Sequence, residues 1–66
     1  FPNPMNEVLH IVGDAVENVT IFNSVGQQVI YVENRNYVDV SLLSEGLYFV
    51  RVVDNKGNTA IKKVIK

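Results

Sequence analysis

The sequence predicts an all-β fold of six or seven short antiparallel strands, and three observations carry that prediction. No segment repeats its apolar residues with a helical period. Val, Ile, Tyr, Phe and Thr gather in short runs parted by Gly, Asn, Asp and Ser, which is the pattern of strands and turns. The runs are too short and too numerous for one sheet wetted on both faces, so two packed sheets or a small barrel must bury the inner faces.

Taken in order, Pro2 and Pro4 hold the first residues extended, because proline fixes φ and biases its predecessor away from helix. The first strand is expected from about Glu7 to Val12, ending at the Gly13-Asp14 turn. Parity conflicts here, because Glu7 shares a face with Leu9 and Ile11 while His10 shares the other with Val8 and Val12. Leu9 and Ile11 go to the core, since a carboxylate at the strand's first residue escapes to solvent more easily than His10 could mid-strand. A second strand runs from Val16 or Asn18 to Asn23, with Val19 and Ile21 inward, Thr20 outward and Phe22 partly exposed. Asn23-Ser24-Val25-Gly26 makes a tight hairpin, with Gly26 where positive φ is needed. The third strand covers Gln27 to Glu33, Asn34-Arg35-Asn36 turns, and Tyr37 to Val40 is a short fourth strand. Ser41 to Gly46 is a loop. Leu47 to Val53 is the longest and most apolar strand, with Arg51 outward and Tyr48, Val50 and Val52 inward. Asp54 to Asn58 is a hairpin loop, and Thr59 to Ile65 is the last strand. There the lysine parity conflicts: Ile61 and Ile65 share a face with Lys63, Val64 with Lys62, and a bulge would reconcile them.

Bulk properties narrow the function. At 66 residues the chain is a single small domain, and with no cysteine and one histidine its core must come from aliphatic side chains. Six basic and seven acidic residues give a net charge of −1, which argues against a nucleic-acid partner. No apolar run is long enough to span a membrane, and no secretory signal peptide is present. Beginning at Phe1 without Met, the chain reads as a piece of a longer precursor. Its strand-forming residues continue almost to Lys66, so the end is expected to be ordered and to be a segment that something else reads.

Catalytic or metal chemistry finds little support. His10 lacks a second histidine or any cysteine to complete a ligand set. Asp14 and Glu17 are too few for calcium, which takes six to eight oxygens. Ser24, Ser41 and Ser44 are turn residues without a histidine in a triad context. Asn18-Val19-Thr20 matches a glycosylation acceptor but falls in a predicted strand. No cofactor is expected, and an enzyme is set aside for want of paired catalytic groups. Lys62, Lys63 and Lys66 form the only charge cluster, either an edge that discourages strand aggregation or a docking signal.

Five segments, in order, carry a resemblance. Phe1-Pro2-Asn3-Pro4 with Leu9-His10-Ile11, then Ile21-Phe22-Asn23-Ser24-Val25-Gly26-Gln27-Gln28-Val29, then Val38-Asp39-Val40-Ser41-Leu42-Leu43-Ser44-Glu45-Gly46, then Gly46-Leu47-Tyr48-Phe49-Val50-Arg51-Val52, then Lys62-Lys63-Val64-Ile65-Lys66 resemble the type A C-terminal sorting domain of the type IX secretion system. The resemblance implies a small immunoglobulin-like β-sandwich that addresses a cargo protein to an outer-membrane translocon of a Gram-negative, Bacteroidota-type bacterium. It implies a path from periplasm to cell surface, with shuttle proteins as partners and a sortase-like peptidase that removes the domain. The residues expected to carry the signal are Pro2, Asn3, Pro4, Gly26, Gly46, Tyr48, Lys63, Val64, Ile65 and Lys66. Gly46 to Val52 would mainly build the scaffold, and the last strand would present the signal. Exposed edge strands would allow a weak homodimer. The rival readings are a fibronectin-like spacer of a surface enzyme and a carbohydrate-binding module, for which only Tyr31 and Tyr37 offer exposed rings.

Overall fold

The computed structural model describes residues 7–13 and 15–66, so the expectations placed on Pro2, Asn3, Pro4 and Asp14 lie outside it. Six strands follow one another with no helix among the described residues: β1 (Val8–His10), β2 (Val16–Asn23), β3 (Gln28–Glu33), β4 (Tyr37–Asp39), β5 (Leu47–Asp54) and β6 (Thr59–Ile65). Among the described residues no helix is long and apolar enough to cross a membrane. The strands form a four-stranded sheet in the order β3-β2-β5-β6 and a two-stranded sheet of β1 and β4, all antiparallel. The all-β sandwich is therefore what the sequence predicts.

Two hairpins of the same design build the larger sheet. In each, an Asx side chain opens the loop and a left-handed glycine closes it. Asn23 Oδ1 accepts the Val25 and Gln27 amides at 3.1 and 2.9 Å. Asp54 Oδ1 accepts the Lys56 and Asn58 amides, both at 2.9 Å. Gly26 and Gly57 stand at φ +87° and +85°, the conformation that lets a type I turn rejoin a twisted ladder. β1 is shorter than the sequence suggests. Its ladder with β4 nonetheless reaches one bond further each way, from Val40 N to Glu7 O and from Ile11 N to Asn36 O, both 2.8 Å.

Period-two alternation sorts the core. Leu9 and Ile11, beside Val38 of β4 and Val40 just past it, meet Val19 and Ile21 of β2, Tyr48 and Val50 of β5 and Val64 of β6 in one buried cluster. Each fully buried aliphatic side chain contributes roughly 1.5–3 kcal/mol from water exclusion. Val16, Ile30, Val32, Leu43 and Val52 pack on its margin. His10 faces solvent, as expected.

Three expectations change. The bulge expected in the last strand is absent, since β6 pairs with β5 without a shift from Leu47↔Ile65 to Val53↔Thr59. The lysine parity needs no bulge, because the smaller sheet is too narrow to cover all of β6. Val64 is buried while Lys62 and Ala60, on the same face, stay exposed. The irregularities lie instead in β2, between Ile21 and Phe22 against β3 and between Val16 and Asn18 against β5. Thr20, expected in solvent, is fully buried on the outer face of the larger sheet. Arg51, directly opposite it, does not reach out to water: its guanidinium lies 5.2 Å from the Phe22 ring centroid, and Nη2 donates to Thr20 Oγ1 at 3.5 Å. The arginine stem and ring thus roof the threonine.

Ile21→Ala should cost about 2–5 kcal/mol in urea unfolding followed by circular dichroism. Ile61→Ala, on a side chain 66% exposed, should stay within about 0.5 kcal/mol of the parent. Equal losses would show that the two faces are misassigned.

Candidate functional site

Of the residues singled out by sequence, the structure gathers most at one end of the larger sheet. Asn23 of β2 pairs with Tyr48 of β5, and Tyr48 pairs with Val64 of β6. The Asn23–Gln27 hairpin, the loop from Ser41 to Gly46 and the last residues of β6 therefore share that end. Gly26 sits at the hairpin tip, and Gly46 opens β5.

The join between β5 and β6 is continued past the strands by a reciprocal pair of backbone bonds. Lys66 N donates to Gly46 O at 2.9 Å, and Gly46 N donates to Lys66 O at 3.2 Å. Gly46 holds φ +155°, and open space surrounds the position a β-carbon would take. The glycine is set there by backbone conformation rather than by a crowded neighbour.

Tyr48 ties the loop to the core. Its ring is buried, and its hydroxyl donates to Ser44 O, four residues upstream, at 2.7 Å. This is the geometry of a tyrosine corner, which fixes the chain where it passes between sheets of a sandwich. The expectation of a core anchor with a bonded hydroxyl describes this side chain.

Lys66 departs most from a docking charge. Its ammonium donates to Val40 O at 2.6 Å, Ser41 O at 3.0 Å and Leu43 O at 2.7 Å. An ammonium carries three protons, so the carbonyls at the start of the loop use its whole donor capacity. The sequence shows the charge but not that the loop turns its carbonyl oxygens inward. Asp39 supports the same corner: its Oδ1 accepts the Ser41 amide at 2.9 Å. Those Ser41 hydrogen bonds, with a smaller contribution from the Lys66 charge, hold the Asp39 carboxyl below its ordinary pKa. Asp54 is lowered likewise, chiefly by hydrogen bonds from Asn58. The Asp-x-Ser and Asp-x-x-x-Asn spacings are the sequence signals for these two turns.

What remains on the outer surface of β6 is Ile61, Lys63 and Ile65, all exposed. Among the signal candidates, then, Tyr48, Val64 and Lys66 face the fold, Gly46 is exposed and held to Lys66 through its backbone, and Lys63 and Ile65 face outward. At the opposite end a polar cleft of about 450 Å³ is lined by Glu17, Asn34, Arg35, Asn36 and Asn55, among others. Among the described residues no group of three or more His, Cys, Asp or Glu converges as metal ligands would.

A family model described as a secretion system C-terminal sorting domain matches residues 1–66. No curated protein and no solved structure gives a significant match.

Tyr48→Phe should destabilise the domain by about 0.5–1.5 kcal/mol and Lys66→Met by about 1–3 kcal/mol in urea unfolding. Because both aspartates are lowered on folding, their contribution is full at neutral pH and is lost as pH falls through the folded-state values, below about pH 4. Asp39→Asn and Asp54→Asn should each flatten that acid limb, and an unchanged pH profile in both would refute the assignment.

Proposed function

Since the chain belongs to the secretion system C-terminal sorting domain family of type IX secretion, we propose that its folded end is the address by which a cargo protein reaches and crosses the outer membrane. The observation that carries this reading is the family match over residues 1–66. The domain is carried by a larger precursor as one sorting unit. It is read by the type IX translocon and its shuttle proteins, and a sortase-like peptidase then removes it at the cell surface, leaving the cargo released or surface-anchored. Sorting domains of this family act by recognition rather than by chemistry.

The geometry supports a division of labour. Lys66 locks the loop from Val40 to Gly46 to the end of β6 through three hydrogen bonds to backbone carbonyls, and Tyr48 locks it to β5 through a fourth. That lock presents β6 in a single register. Among the described residues β6 is an edge strand, with β5 its one neighbour in the sheet. Its outward row of Ile61, Lys63 and Ile65 offers a mixed apolar and cationic stripe to a partner. Lys66 and Val64 thus maintain the shape, while Lys63 and Ile65 are read.

The test is a fluorescent reporter carrying the domain at its C-terminus, expressed in a host with a type IX translocon. The intact fusion should appear outside the cell. Removing residues 64–66 should abolish export. Lys63→Glu should keep the thermal midpoint of the isolated domain yet lower export about tenfold, the effect of losing one useful contact. Export at the parent level without residues 64–66, or an intact fusion that stays in the periplasm, would sink the reading.

A further inference from the structure

Among the described residues the smaller sheet has no strand on its β4 side. β4's even-numbered residues bond to β1, as the flanking bonds from Val40 N to Glu7 O and from Ile11 N to Asn36 O show. The N–H and C=O groups of Tyr37 and Asp39 therefore point the other way, and no described residue pairs with them. Below that edge β3 extends past β4 and leaves Ile30 and Val32 only half-buried. The result is a groove of about 350 Å³ beside β4, floored by Val29, Ile30, Val32, Val38 and Leu43 and rimmed by Arg35 and Asp39. Leu42 stands at its mouth, 99% exposed.

Unpaired strand amides beside an apolar trough are the two halves of a β-augmentation site. From them we infer that the β4 edge takes up an extended peptide segment of a partner protein, which adds as a third strand of the smaller sheet and closes the core over β3. Every strand pair among the described residues is antiparallel, and antiparallel pairing is the more stable per residue. The rim then dictates a charge order. Side chains of the added strand that share a face with Arg35, Tyr37 and Asp39 lie opposite them, so a segment running against β4 meets Asp39 first and Arg35 last. The preferred segment is basic, apolar, aromatic, apolar, acidic, read from its N-terminus, with its apolar residues turned into the groove. Arg35 is already drawn to this surface, with its guanidinium carbon 5.5 Å from the Tyr37 ring centroid. The occupant is a lone extended segment rather than a second copy, because an intact second sandwich brought to β4 would meet the overhanging β3 first. This surface is separate from the outward row of β6.

The probe is the capped heptapeptide Thr-Lys-Val-Tyr-Val-Glu-Thr, titrated into the 66-residue chain and followed by amide chemical shifts. The Tyr37 and Asp39 amides should shift with saturation, together with those of Ile30, Val32 and Leu43. The charge-reversed peptide Thr-Glu-Val-Tyr-Val-Lys-Thr should bind about five- to tenfold more weakly, as two cross-strand charge pairs turn repulsive. The double variant Arg35→Glu with Asp39→Lys, changed at exposed positions, should invert that preference. Equal binding of both peptides, shifts confined to Ile61 and Lys63 of β6, or no shift at millimolar peptide would each overturn the inference. So would concentration-dependent self-association through β4 in sedimentation, which would assign the groove to a second copy.

Discussion

Everything in this domain depends on how a narrow sheet of two strands is seated on a wider one of four. A chain this small, without disulfides, has little apolar surface to spare, so the seat is placed where it excludes most water. Leu9 and Val38 sit as a cross-strand pair over Ile21 and Val50, themselves a cross-strand pair, and all four are essentially inaccessible. The mismatch in width then explains the margins. On the β6 side it leaves Lys62 and Ala60 in solvent although they share a face with buried Val64. On the β3 side it opens the trough beside β4.

The succession of strands along the chain and the turn positions were legible in the sequence because each has a local cause. Asn23 and Asp54 both stand three residues before a glycine, and both hairpins form where that spacing places them. Val19 and Ile21, or Tyr48 and Val50, alternate with polar or less buried neighbours, and the period of two settles their side. The tyrosine anchor was legible for the same reason, since an inward Tyr beside a turn needs an oxygen within reach of its hydroxyl.

What was not legible depends on groups far apart in the chain. Thr20 is hidden by Arg51, thirty-one residues away, whose guanidinium folds onto Phe22 and leaves its own Nε buried without a hydrogen-bond partner. Polarity alone puts both residues in water. Lys66 misleads in a similar way. In a lysine-rich segment its charge looks like a surface label, yet its ammonium is held by carbonyls twenty-three to twenty-six residues upstream. A periodicity argument counts faces. It has no means of counting the backbone oxygens that a loop will turn inward.

The order of the strands also sets a clock. β1 finds its partner in β4, and the β2–β5 ladder must bring Val16 to Asp54 across the intervening β3 and β4. Only the two hairpins are local. Closing such distant pairings takes its entropic cost before any contact returns it, and small β-sandwiches accordingly fold in milliseconds to seconds rather than microseconds. An unfolded copy of this chain therefore waits milliseconds or longer before its layers close. During that interval its edges and its future core are open to whatever waits in the same compartment.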